Sequence, residues 1–182
     1  MLCLMQVKDF QNKKVGVFCD DSNLYHSYLK CGWRIDFGKF RSFLEKHLNN
    51  LEFINYYIAV PDRTDAAYSG TQSFLEKIKL YTNIKIKKLK YTPVDGKFIK
   101  KGDVDVEIVL DAVRTIDKLD LIIIVSGDSD LLELKNYIVR DKKKNILFWA
   151  FEKNMAWELK YCWHLYLDNY QKEFLNKFEF KK

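Results

Sequence analysis

Residues 121–125 (LIIIV) are apolar without interruption, and residues 15–19 (VGVFC) are nearly so. Runs of this length, rich in β-branched side chains, predict strands buried on both faces of a parallel sheet. Elsewhere the period changes. Phe40, Phe43, Leu44 and Leu48 recur at helical spacing, which predicts a helix over 37–47 with Asp36 as its cap. Further helices are predicted over 24–30, stopped at Cys31-Gly32, and over 67–81, 104–116, 131–140 and 155–162. Strands are predicted over 51–60, 84–91, 145–151 and 164–167. In 84–91, Ile84, Ile86 and Leu89 alternate with Lys85, Lys87, Lys88 and Lys90. Residues 93–96 (PVDG) read as a turn, and 97–101 as a basic approach to the next helix.

Strands alternate with helices and no internal repeat interrupts them. The pattern predicts one α/β domain with a mostly parallel central sheet over 1–168, followed by an amphipathic tail over 169–182. At 182 residues and 48% hydrophobic content the chain can bury a full core. Its net charge of +6 permits a polyanionic partner without requiring one. The four cysteines are scattered, with no CxxC and no zinc-type spacing, as expected for a reducing cytoplasm. No apolar run approaches the roughly 20 residues of a membrane span. The first fourteen residues lack the basic start and long apolar centre of a signal peptide, so a soluble cytoplasmic protein is expected.

The candidate chemistry is acidic. Asp20 and Asp128 each stand just past the end of an apolar strand, the edge where open α/β sheets place their ligands. Asp130 follows Asp128 by two residues. Asp105 falls in the first turn of the 104–116 helix, on the inward stripe of Val109, Ala112 and Ile116. Asp111 lies about 120° round that helix from Asp105, and Asp103 is placed as a cap. Any one of these acids alone is adequately explained as a helix cap. Together they are more than caps require, and crowded carboxylates call for a hard divalent cation such as magnesium or manganese.

Three segments carry a family resemblance. Residues 17–25 (VFCDDSNLY) resemble the hydrophobic-Asp-x-Ser-Asn opening of NYN domains, the LabA-like branch of the PIN-like nuclease superfamily. Residues 101–106 (KGDVDV) resemble their Lys-Gly-x-Val-Asp segment, followed by an Asp-Ala at 111–112. Residues 124–130 (IVSGDSD) resemble their Ser-Gly-Asp-Ser-Asp turn. The match runs over about residues 14–165. It implies a PIN-like three-layer α/β/α sheet domain and a magnesium- or manganese-dependent ribonuclease site. Asp20, Asp105, Asp128 and Asp130 would be its metal-binding and catalytic acids, with Asn23 as a polar catalytic residue. Asp21 departs from the pattern, where glycine is common.

Substrate contacts are expected from Lys85, Lys87, Lys97, Lys100, Lys101 and Arg63, with Ser126 orienting water or ligand. The alternating lysines equally suit a solvated strand face. Tyr25, Tyr28 and Phe98 are candidates for base stacking; Trp149, Trp157 and Trp163 read as packing, and His26, His47 and His164 are assigned no role. RNA, single-stranded by preference, is the expected partner, with DNA left open. The principal alternative is a nucleic-acid-binding or scaffold module whose nuclease site is weak or inactive. A phosphoacceptor domain built on Asp20, Asp21 and Asp62 would leave the Ser-Gly-Asp-Ser-Asp turn unexplained.

Overall fold

The computed structural model describes residues 6–95 and 97–176, with Lys97 and Asn176 described by backbone only. In chain order the strands are β1 (Lys14–Asp20), β2 (Arg34–Ile35), β3 (Asn50–Val60), β4 (Asn83–Lys88), β5 (Lys90–Val94), β6 (Lys97–Lys101), β7 (Leu121–Val125), β8 (Asn145–Ala150), β9 (His164–Tyr166) and β10 (Leu175–Asn176). The helices are α1 (Asp21–Cys31), α2 (Phe37–His47), α3 (Tyr68–Ile78), α4 (Asp105–Thr115), α5 (Leu132–Asn136) and α6 (Gln171–Phe174).

Six strands form one sheet in the order β4-β3-β1-β7-β8-β9, and every neighbouring pair is parallel. β7 shows why the chain takes this form. Its five residues are all fully buried. Leu121, Ile123 and Val125 enter one core with residues of α1, α2 and α3; Ile122 and Ile124 enter the other with residues of α4 and α5. A strand that feeds two cores needs apolar residues at every position. The result is the expected three-layer α/β/α arrangement. Strand order reverses between β1 and β7, where Cys19 pairs with Val125, so the two strand ends lie side by side. That reversal opens a crevice beyond the carboxyl ends of the strands.

The predicted strand over 84–91 ends instead at Lys88. Leu89 leaves the ladder to donate its N–H to the Val60 carbonyl at 3.0 Å, and the chain restarts as β5. β5 and β6 form an antiparallel hairpin, so the basic approach at 97–101 is a strand. Gly102 ends the hairpin where a Cβ would lie 2.5 Å from Ala59 Cβ. Only glycine allows the chain to pass that close to β3 and deliver Asp105 to the crevice. The predicted helix over 131–140 is short: α5 continues into a single π turn at Tyr137–Asp141. The predicted helix over 155–162 is a 3-10 segment, Trp157–Tyr161, with Trp157 67% exposed rather than packed.

Within the 169–182 tail, α6 and β10 are docked. Phe174 is fully buried against Phe40, Phe43, Trp149 and Tyr170, and β10 pairs with β2. Residues 177–182 lie outside the described residues. No described helix is long and apolar enough to cross a membrane.

Candidate active site

β1 ends in Asp20, which caps α1 by accepting the Asn23 N–H at 3.2 Å. Its other oxygen accepts the Ser126 hydroxyl at 3.0 Å. Ser126 is fully buried at the end of β7, and its oxygen also accepts the Asp128 N–H at 3.3 Å. One hydroxyl therefore locks both strand-end turns. Asn23 does the same from the other side: its side-chain carbonyl accepts the Gly127 N–H at 3.0 Å. Gly127 in turn sits against the backbone of Asn154, where a Cβ would fall 2.3 Å from the Asn154 carbonyl oxygen. The Ser-Gly-Asp-Ser-Asp turn is thus clamped by α1, by its own serine and by the 154–156 segment, whose Ala156 N–H reaches the Gly127 carbonyl at 2.9 Å.

Asp128 then caps the turn at Ser129–Leu131, accepting the Asp130 N–H at 3.0 Å. Asp105 opens α4 from the opposite side. One carboxylate oxygen from each of Asp105, Asp128 and Asp130 lies within 4.8 Å of the others. These oxygens meet in a cleft of about 810 Å³ that Asp20, Asp21, Asn23 and Asp103 also line. The donors are all oxygens, the set that suits a hard divalent cation.

Electrostatics show the strain of this crowding. Burial, then the hydrogen bond and charge of Asp103, and then Asp20 and Asp128 push the Asp105 carboxyl up to about 8. Asp103 moves the opposite way, held down first by its hydrogen bonds from the Asp105 carboxyl and backbone N–H. Of the two carboxyls, Asp105 is the one that their shared hydrogen bond favours in the protonated form. Burial also raises Asp20, against the lowering effect of the Asn23 and Ser126 hydrogen bonds. Asp21 is pushed up to about 6 by burial, although the Tyr56 hydroxyl donates to it. A cation among these acids would favour their ionised forms, so its binding would compete with protons at Asp105.

The other residues singled out in the sequence fall into two groups. Lys100 and Lys101 line the cleft, and Lys100 also bonds Asp65 at 2.6 Å. Ser126 stands behind Asp20 and does not line the wall. Lys85 reaches Asp111 at 3.4 Å and Lys87 reaches Glu107 at 2.9 Å, so both brace β4 against α4. Arg63 is exposed outside the cleft, and the Lys97 side chain lies outside the described residues. Asp111 is held by the Tyr57 hydroxyl at 3.0 Å, away from the cluster. Asp62 does not line the cleft either. The cleft wall adds Tyr25, His26, Lys30 and Asn154. Of these, only Tyr25 was expected at the site, as a base-stacking candidate. The burial of Leu24, Ser27 and Tyr28 marks the inner face of α1 and leaves 25, 26, 29 and 30 outward, a signal present in the helical spacing.

Residues 14–168 match the family model for the NYN domain. The chain is 25% identical over 174 residues to the low amplitude and bright protein LabA of Synechococcus elongatus, covering 93% of this chain and 91% of that one. Its fold is similar to the crystal structure of VPA0982, a protein of unknown function from Vibrio parahaemolyticus. The TM-score is 0.70 at 22% identity, covering 94% of this chain and all of that one.

Proposed function

The chain belongs to the NYN domain family, and we propose that its acidic cleft hydrolyses RNA phosphodiester bonds, using magnesium or manganese held by Asp105, Asp128 and Asp130 with Asp20 beside them. The observation that carries this reading is the convergence of three carboxylates at the point where the strand order reverses. The NYN family assignment supports a PIN-like nuclease fold for the same residues.

When bound, such an ion would supply charge neutralisation at the phosphate and a more acidic water. The protein's part is placement and protons. Asp20 is fixed by two hydrogen bonds and cannot swing away. Asp128 and Asp130 are spaced by one Asx-type bond, which aims both carboxylates from one short turn. A proton held on Asp105 would limit self-repulsion while the site is empty, and would be released when a cation was bound. Ser126 acts on substrate only through the turns it holds, whereas Asn23 both holds the Gly127 turn and lines the cleft as a polar catalytic residue. Lys101 and Lys100 offer phosphate contacts without sequence preference. No serine or cysteine nucleophile is required. RNA is preferred to DNA on the resemblance alone. A cytoplasmic setting is supported by the unpaired Cys19, Cys31 and Cys162.

The test is purified protein with single-stranded RNA and manganese beside the Asp128→Asn variant. Cleavage by the parent and none by the variant is expected. Equal cleavage by both, or none by either across several RNAs, contradicts it. Retained RNA affinity without turnover would instead identify a binding module.

A further inference from the structure

The cleft has a floor of one charge and walls of another. Asp20, Asp21, Asp103, Asp105, Asp128 and Asp130 line its floor, against the wall lysines Lys30, Lys100 and Lys101. A polyanion is repelled by that floor except at the reacting phosphate, so its other phosphates must rest on the walls. One wall is the β5–β6 hairpin, with Lys100 and Lys101. The other is the outward face of α1, and nothing in the core requires the residues found there.

Leu24, Ser27 and Tyr28 fix the rotation of the helix by their burial. Tyr25 consequently stands 51% exposed on the cleft wall, touching the ring of His26 edge-on at 5.9 Å between centroids. Its ring face is therefore open to the cleft, where a flat, apolar group can lie against it. One turn beyond His26, the Lys30 ammonium is held by the Asn154 side-chain oxygen at 2.8 Å and has no carboxylate partner among the described residues. Asn154 is itself tied to the Asn23 carbonyl at 3.4 Å, so Lys30 is referenced to the same clamp that positions the acids.

We propose that the α1 wall is the base-recognition side of the cleft: Tyr25, steadied by His26, stacks one base of a single-stranded nucleic acid, and Lys30 takes the adjoining phosphate. This rests on reading the cleft as a nucleic-acid site, and it deepens that reading by naming the residues that would select a single strand. Stacking needs an open base face, which a single strand offers and a duplex hides. The hydroxyl of Tyr25 is not needed, so phenylalanine would serve. Phe98, though 70% exposed on the hairpin, does not line the cleft and is assigned no part in this contact.

The experiment is fluorescence anisotropy with a short labelled oligouridine, on an Asp128→Asn background that stops turnover. Tyr25→Ala is expected to weaken binding about 5- to 100-fold, the usual effect of removing one stacking platform. Tyr25→Phe should retain affinity. Lys30→Met should flatten the slope of log affinity against log salt by about 0.7, the value for one phosphate contact on a single strand. A duplex should not respond to Tyr25→Ala. Tyr25→Ala within twofold of its parent, or a loss appearing in Phe98→Ala instead, overturns the inference. These readouts do not depend on cleavage. If RNA is never cut yet the losses appear, the hydrolytic reading falls and the α1 contact stands. If RNA is cut while Tyr25→Ala binds normally, the reverse holds. No affinity in the parent overturns both.

Discussion

Replacing Asp105 by asparagine removes a carboxyl that the fold can ionise only at a cost. Its folded value of about 8 lies far above the ordinary 3.8, chiefly through burial and its hydrogen bond to Asp103. Between those values the folded protein binds more protons than the unfolded chain. Stability without a cation is therefore full near pH 4 and falls as pH rises through about 8. Converted at ~1.4 kcal/mol per pH unit, the whole displacement would be nearly ~6 kcal/mol. Asp105 is only partly buried, and the lowered Asp103 offsets some of the effect. Solvent screening then leaves about 1–3 kcal/mol. Asparagine cannot ionise, so Asp105→Asn should match the parent near pH 4 and exceed its melting temperature at pH 8.5. For a chain of this size the gain is about 2–12 °C. The assay is thermal melting across that range in a chelator, then with manganese. Manganese should raise the parent at pH 8.5 by about 3 kcal/mol at a hundredfold excess over its dissociation constant, and the variant by far less. Parallel pH curves for the two proteins, or a parent more stable at pH 8.5 without metal, would refute the reasoning.

Other perturbations test the scaffold. Gly127→Ala places a methyl into the Asn154 backbone and should cost about 1–3 kcal/mol, read as a lower urea midpoint with unchanged slope. Ser126→Ala leaves the buried Asp20 carboxylate short of a donor; a loss of about 1–3 kcal/mol is expected, larger where Asp20 is ionised than where it is protonated, because the ionised form needs the donor more. Phe174→Ala empties the aromatic pocket closed by Phe40, Phe43 and Trp149 and should cost about 3–5 kcal/mol, whereas an unimportant tail would show no change.

What could be read from the sequence was what local pattern encodes. The boundaries of α2 and its Asp36 cap follow from spacing and capping chemistry, and β7 from an unbroken apolar run. The proximity of Asp105, Asp128 and Asp130 followed once strand ends and the inward stripe of α4 were placed. The rest depends on contacts distant in sequence. Lysine alternation runs on past Leu89 without a local stop signal, and the break comes from the Val60 carbonyl and the close passage of Gly102. Lys85 and Lys87 looked available for phosphate because their partners on α4, Asp111 and Glu107, are distant in sequence. Trp157 read as packing, yet the 3-10 segment turns it outward. The docking of Phe174 was foreshadowed only by its helical spacing from Tyr170.

The central claim is that this cluster of acids cuts RNA. Its most direct test is the single-turnover cleavage rate of an end-labelled single-stranded RNA in manganese, for the parent and for Asp128→Asn, with both shown to be folded by circular dichroism. The account predicts metal-dependent cleavage by the parent, and a variant at least a hundredfold slower yet no less stable. Cleavage that survives the substitution, or that proceeds unchanged in a chelator, would contradict it.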